Sequence, residues 1–364
     1  MTILNTIHNP EYSNLFLGSK SLGIARYDKI KYRVFDRLTK DMKGFFWQPE
    51  EIDLQRDKAD FKQLSPHEEH IFTSNIKRQI VLDSVQGRAP SLAFLPVCTL
   101  PEFESFIVWW TATEQVHSYS YTHIIQNVYP DSTAVLDAVL DIKEVVSCAE
   151  DISKYYDDLI AYNNKVAYAG YNASTTIYNH KRAIWLALNS VNALEGVRFY
   201  VSFACSWAFA KNKKMEGNAK IIKLICRDEN IHLGATQTLL KLIVKEDPDF
   251  ANIQYECKDE VIQIFKDVVN QEKEWAEYLF KDGSIIGLSK TLLCQYVEYI
   301  ANSRLASIGY DPIYKKISNP LPWTLDFITS KGVQVAPQEA EKSEYRTGEV
   351  KQDINVDTFK SFEL

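Results

Sequence analysis

Glu114 with His117, and Glu229 with His232, form two Glu-x-x-His pairs, one in each half of the chain and each inside a stretch of helical periodicity. At a spacing of three, both side chains of a pair project from one helix face with Cβ atoms roughly 5–6 Å apart. Each helix can then offer one carboxylate and one imidazole to a shared centre. Two such helices are the signature of a carboxylate-bridged two-metal site.

Two divalent metals carry charge that a buried site must nearly cancel, because unpaired buried charge is very costly. Four carboxylates and two neutral imidazoles would balance it, so one further acid is needed from each of two other helices. Asp83 in IVLDSVQG and Glu195 in VNALEGVRFYVSFAC meet that need in apolar surroundings. Taken alone, Asp83 could be a surface acid at a helix end and Glu195 could pair with Arg198. Beside two Glu-x-x-His pairs, the metal reading outweighs both. A set dominated by carboxylate oxygen suits iron or manganese better than zinc, whose sites usually hold more nitrogen or sulfur.

Tyr121 lies seven residues after Glu114 and four after His117, on the same helix face. Phe199 and Phe203 stand four and eight after Glu195, and Ile225 four before Glu229. Such residues pack a core in any helical protein, and here they would also wall the site with apolar groups. A phenol screened from water beside an oxygen-reactive metal pair could lose an electron and a proton and persist as a radical.

The elements that must position these groups are helices. From about residue 26 to 310, apolar residues recur at spacings of three and four. Ser65 and Pro66 open one helix as N-cap and first helical residue, Glu68 is placed for a capping box, and Gly87 closes it. Further helices are expected over 101–128, 141–168, 180–211, 215–243, 254–281 and 287–309. The fold class is all-α, with a helical domain over 1–332. Residues 333–364 form a polar, acidic-leaning tail that cannot bury enough surface to fold alone. It ends in TFKSFEL, where Phe359, Phe362 and Leu364 could order on a partner.

Composition excludes several function classes. The 364 residues carry a formal net charge of -7, so there is no basic footprint for nucleic acid or an anionic membrane. The start, MTILNTIHNPEYS, lacks a charged region followed by an apolar one, and no run of 18 apolar residues occurs, which points to a cytoplasmic protein. The six cysteines show no C-x-x-C and no zinc spacing, and are expected to be buried free thiols.

Read together, FFWQPEEIDL, LDSVQGRAPS, TEQVHSYSYTHII, SVNALEGVRFYVSFACS, MEGNAKIIKLICRDENIHL, YLFKDGSIIGL, LCQYVEYI, SNPLPW and VQVAPQE closely resemble the small, radical-generating subunit of class I ribonucleotide reductase, of the tyrosyl-radical kind of bacteria and phages. The resemblance covers nearly the whole chain. It implies a ferritin-like di-metal bundle with extra helices, working as a homodimer. Asp83, Glu114, His117, Glu195, Glu229 and His232 would be the ligands of an oxo-bridged pair of iron ions, with manganese as the other candidate. Tyr121 would carry the radical in a pocket of Phe199, Phe203 and Ile225. Trp47 would pass an electron to the site, with Asp228 linking it to His117. In the tail, Tyr345 would hand the radical onward and Glu339 would support the transfer. The partner would be the large catalytic subunit, docked through the tail, in the cytoplasm, or in a host's cytoplasm if phage-encoded. One departure stands out, since Tyr119 occupies a position where arginine is usual.

The residues themselves agree on one negative point. The chain has no Gly-rich phosphate cradle and no paired redox cysteines, so nucleotide reduction must take place on a partner. The rival enzyme reading is a di-iron oxidase or monooxygenase of the ferritin-like superfamily using the same six ligands. A helical scaffold whose Glu and His residues are satisfied by salt bridges is the non-enzymatic alternative.

Overall fold

Pro66–Gln86 is helical because both ends are fixed by specific residues. Ser65 and Glu68 make a reciprocal capping box, with the Ser65 N–H donating to Glu68 Oε2 at 2.9 Å, and Pro66 fills the first position. At the far end Gly87 serves close approach. A Cβ there would stand 2.8 Å from Gln115 Nε2 and 2.9 Å from the Asp83 carbonyl oxygen. Gln115 Nε2 donates to the Gly87 carbonyl at 2.5 Å. The helix that carries Glu114 is thereby tied to the end of the helix that carries Asp83.

The computed structural model describes residue 6 and residues 13–18, 23–315 and 318–328. In chain order the helices are α1 (Arg33–Gly44), α2 (Gln55–Phe61), α3 (Pro66–Gln86), α4 (Ala89–Phe94), α5 (Pro101–Val128), α6 (Ser132–Asp137), α7 (Lys143–Ala169), α8 (Ile177–Ala193), α9 (Tyr200–Lys211), α10 (Glu216–Glu246), α11 (Pro248–Glu256), α12 (Lys258–Leu279), α13 (Lys290–Ser307) and α14 (Leu325–Ile328). Among the described residues there is no strand beyond isolated bridges, and the expected all-α class holds. The tail over 333–364 lies outside the described residues.

α5 packs against α1, α3 and α10, and α10 packs against α8 and α9. These helices enclose one interior, while α7 and α12 cover α8 from outside. Trp110, Tyr121, Phe199, Phe203, Trp207 and Ile225 are fully buried. Each large apolar side chain contributes roughly 1.5–3 kcal/mol by leaving water. The start of α10 is held from far along the chain: Asp57 of α2 accepts from the N–H groups of Gly217 and Asn218 at 2.9 and 2.6 Å. That contact supplies the cap that Met215, in a left-handed conformation at the N-cap, does not.

Two expected helices are interrupted. The run over 180–211 is split into α8 and α9 by a π-helical turn, Leu194–Arg198, in which Glu195 sits. Such a turn inserts a residue into the helical register and often marks a functional site. Periodicity conceals it here, because the flanking residues are buried all round. The run over 254–281 breaks at Cys257 between α11 and α12, where neither glycine nor proline announces a boundary. All six cysteines are free thiols, five of them buried and Cys294 partly so.

Candidate metal centre

Asp83 on α3, Glu114 and His117 on α5, Glu195 in the π turn, and Glu229 and His232 on α10 converge on one interior point, and none is more than 1% exposed. They form two groups of four, Asp83, Glu114, His117, Glu229 and Glu114, Glu195, Glu229, His232. Within each group one ligand-type atom per residue lies within 4.8 Å of the others. Glu114 and Glu229 belong to both groups. One shared carboxylate therefore comes from each of the two Glu-x-x-His helices.

The imidazoles are oriented by their outer nitrogens. His117 Nε2 lies 3.3 Å from Asp228 Oδ2. His232 Nε2 lies 2.9 Å from Thr113 Oγ1, whose own proton goes to the Trp110 carbonyl at 2.8 Å, so Thr113 accepts from the ring. Both rings then turn Nδ1 inward. That atom is 3.2 Å from Glu114 and Glu229 oxygens for His117, and 3.1 and 3.5 Å for His232. Fixing the outer nitrogen so that the inner one faces a cation is how metal-binding histidines are held.

The centre is short of positive charge and of hydrogen-bond donors. Both oxygens of Asp83 and of Glu229, Glu195 Oε2 and His232 Nδ1 are buried without a hydrogen bond. An unsatisfied buried acceptor costs about 1–3 kcal/mol, and more when charged. Burial, then the charges of Glu114 and Glu229, pushes Asp83 well above the ordinary carboxylate range, and burial does the same to Glu195. Burial opposes the charging of the histidines, yet their contacts to neighbouring carboxylates raise His117 well above its ordinary value and His232 to about 10. Two divalent cations would satisfy the orphaned atoms and balance four carboxylates together. The donor set therefore fits a metal pair.

Asp228 connects this cluster to Trp47. Its Oδ2 accepts from Trp47 Nε1 at 2.8 Å and faces His117, while Oδ1 takes Arg227 Nε at 3.0 Å and Nη2 at 2.9 Å. Despite burial, the Arg227 charge and the bonds from His117 and Trp47 hold Asp228 down to about 2. Arg227 Nη2 also donates to the Phe45 carbonyl at 2.7 Å, fastening the segment that carries Trp47. The Trp47 and His117 ring centroids are 6.5 Å apart.

Tyr121 is fully buried, and its hydroxyl faces the Asp83 carboxylate. Burial first, then the Asp83 charge, lifts the phenol well above its usual range, so it stays protonated. Phe199 and Phe203 stack at 5.5 Å, and Ile225 is buried with them in the core. Tyr119 is 54% exposed and points away from this interior. Arg198 donates to Cys148 Sγ at 3.0 Å and to Gln271, and is not a partner of Glu195. Thr113 and Trp110, whose Nε1 donates to Glu114 Oε1 at 3.1 Å, are functional neighbours that sequence reasoning missed. Their spacing of one and four residues before Glu114 was the available signal. Tyr345 and Glu339 lie outside the described residues.

Helices around a buried cluster of four carboxylates and two imidazoles define a ferritin-like bundle. The fold is similar to a solved structure of the ribonucleotide reductase R2 subunit from Clostridium botulinum, with a TM-score of 0.78 and 26% identity over 90% of this chain and 98% of that chain. Residues 25–320 match the family described as ribonucleotide reductase, small chain, and the chain belongs to that family. It is 46% identical over 360 residues to ribonucleoside-diphosphate reductase 1 subunit beta of Salmonella typhimurium, covering 96% of each chain. It is 38% identical over 369 residues to ribonucleoside-diphosphate reductase subunit beta of Enterobacteria phage T4, covering 96% of this chain and 95% of that one. No helix among the described residues is long and apolar enough to cross a membrane.

Proposed function

We propose that this chain is the radical-generating subunit of a class I ribonucleoside-diphosphate reductase, holding two iron ions and storing an oxidising equivalent on Tyr121. The observation that carries the reading is the pair of four-residue groups sharing Glu114 and Glu229, on the same helix as a buried phenol. Asp83, Glu114, His117, Glu195, Glu229 and His232 would hold the metals, which supply, when bound, the oxidising power for one-electron chemistry with oxygen. The protein's own groups do the rest. Tyr121 releases an electron and its hydroxyl proton, becoming a neutral radical. The wall of Phe199, Phe203 and Ile225 keeps water and reductants from it. Trp47, Asp228 and His117 form the route by which an electron crosses between the surface segment and the centre.

The intact tyrosine with a full carboxylate set favours the tyrosyl di-iron type over variants that lack either, and manganese is the other candidate metal. Apoprotein loaded with ferrous iron and exposed to oxygen is expected to retain two irons per chain and to give a tyrosyl signal in electron paramagnetic resonance. Oxidised iron with no radical would move the assignment to an oxidase of the same superfamily, or to manganese as the working metal.

The subunit acts in the cytoplasm as a homodimer, docking on the large catalytic subunit through residues 333–364 of a chain whose helical domain spans 1–332. Glu339 and Tyr345 relay the radical along that tail. Phe359, Phe362 and Leu364 are the docking anchors, each worth roughly 1.5–3 kcal/mol if fully buried. Truncation before Thr358 should therefore weaken binding to the large subunit at least tenfold or so, measured by surface plasmon resonance. Unchanged affinity would remove the docking role.

A further inference from the structure

Glu195 is the one carboxylate of the cluster that does not sit in a regular α-helix, so its helix cannot by itself fix where its oxygens point. Another device does so. Gln86, fully buried and three residues after Asp83 on α3, donates from Nε2 to Glu195 Oε1 at 2.6 Å. An ionised, metal-binding carboxylate can only accept, so the amide presents its N–H side there, which leaves Gln86 Oε1 as an acceptor. Tyr156 on α7, 3% exposed, donates its hydroxyl to that oxygen at 2.8 Å. The polarity of the chain runs one way, from phenol to amide to carboxylate, and each link fixes the next. Its end result is a Glu195 with Oε1 occupied and Oε2 orphaned, the residue being grouped with Glu114, Glu229 and His232.

We infer that Gln86 and Tyr156 are positioning residues for Glu195, which make it present a single oxygen to the metal held with His232. The inference rests on the dimetal reading above. It gives α7 a part in the site, although that helix supplies no ligand. It also makes α3 serve both groups, through Asp83 in one and through Gln86 in the other. Arg198, the alternative partner for Glu195, is engaged elsewhere, and the amide is the partner found.

The test is manganese(II) loading of the full-length apoprotein, followed by calorimetry and electron paramagnetic resonance, for wild type, Gln86→Leu and Tyr156→Phe. Wild type is expected to bind two ions per chain with a spin-coupled signal. In Gln86→Leu one ion should bind as before and the other about 10–100-fold more weakly, with an isolated-ion spectrum at one equivalent, while the apoprotein melts somewhat lower because the Tyr156 hydroxyl and Glu195 Oε1 lose their partner. Tyr156→Phe keeps the ring beside Phe94 and loses one hydroxyl. It should weaken the same ion by a smaller factor, and it stands as the test if Gln86→Leu fails to fold. Two ions bound with wild-type affinity and coupling in the variants would overturn the inference. So would an equal loss at both sites, which marks a packing role. A wild type that takes fewer than two ions would overturn the reading of the centre itself, and this inference with it.

Discussion

Tyr121→Phe should bind two irons per chain and oxidise them, yet give no radical signal and no nucleotide reduction when combined with the large subunit. The change removes one oxygen from a fully buried ring. That oxygen faces Asp83, which a bound metal would also engage, so in the loaded protein its loss should change stability by about 1 kcal/mol. Folding and metal content are therefore controls that the variant ought to pass. What it cannot do is give up a phenolic proton with an electron, and turnover should fall by at least about a thousandfold, near 4 kcal/mol in barrier. Spectroscopy on paired samples, followed by a coupled turnover assay, checks both halves. A wild-type radical in the variant would transfer the role to another tyrosine.

Asp228→Asn tests the connection between the surface segment and the centre. The carboxylate serves three groups, accepting from Trp47 and facing His117 through Oδ2 while taking Arg227 on Oδ1. Asparagine keeps the shape but removes the charge and puts N–H donors where one of those oxygens was. Either Arg227 or the pair of rings must then lose its acceptor. Affinity for the ion held by His117 should fall about 10–100-fold, as for other changes behind a ligating histidine. Radical formation should slow in proportion to the lost electron route, even at saturating metal. Stopped-flow absorption on fully loaded protein separates the two effects. Normal rates at saturation would confine Asp228 to holding the imidazole.

The six clustered residues were legible because a three-residue spacing on a helix is itself a statement about geometry, and because an acid among apolar neighbours demands a partner. Tyr121 was read from its helix face beside the ligands and then matched by the family resemblance, while Trp47, Asp228 and the tail roles were named from the resemblance alone. Gln86 and Tyr156 were not legible. They are common polar types whose importance lies in which atom meets which, and that depends on three helices meeting. The π turn around Glu195 was hidden for the opposite reason: a segment buried on every side has no periodicity to interrupt. Asp57 capping α10 joins residues 160 and 161 positions apart, a relation no local pattern carries. Asp247 and Pro248 signal the start of α11 as N-cap and first helical residue, whereas the break at Cys257 carries no such mark.

The orphaned oxygens of Asp83, Glu195 and Glu229 have a meaning for the life of the protein in a cell. They gather unsatisfied groups from α3, α10 and the π turn at the place where these elements meet, so a metal pair bound there would offset a cost that the fold otherwise carries. A ligand that binds only the folded form at a hundred times its dissociation constant adds about 2.7 kcal/mol of stability. Chains that acquire metal soon after synthesis would outlast those that do not, because bound metal lowers the fraction of unfolded chain open to proteases. The steady amount of subunit would then follow metal supply through turnover alone, with no separate sensor.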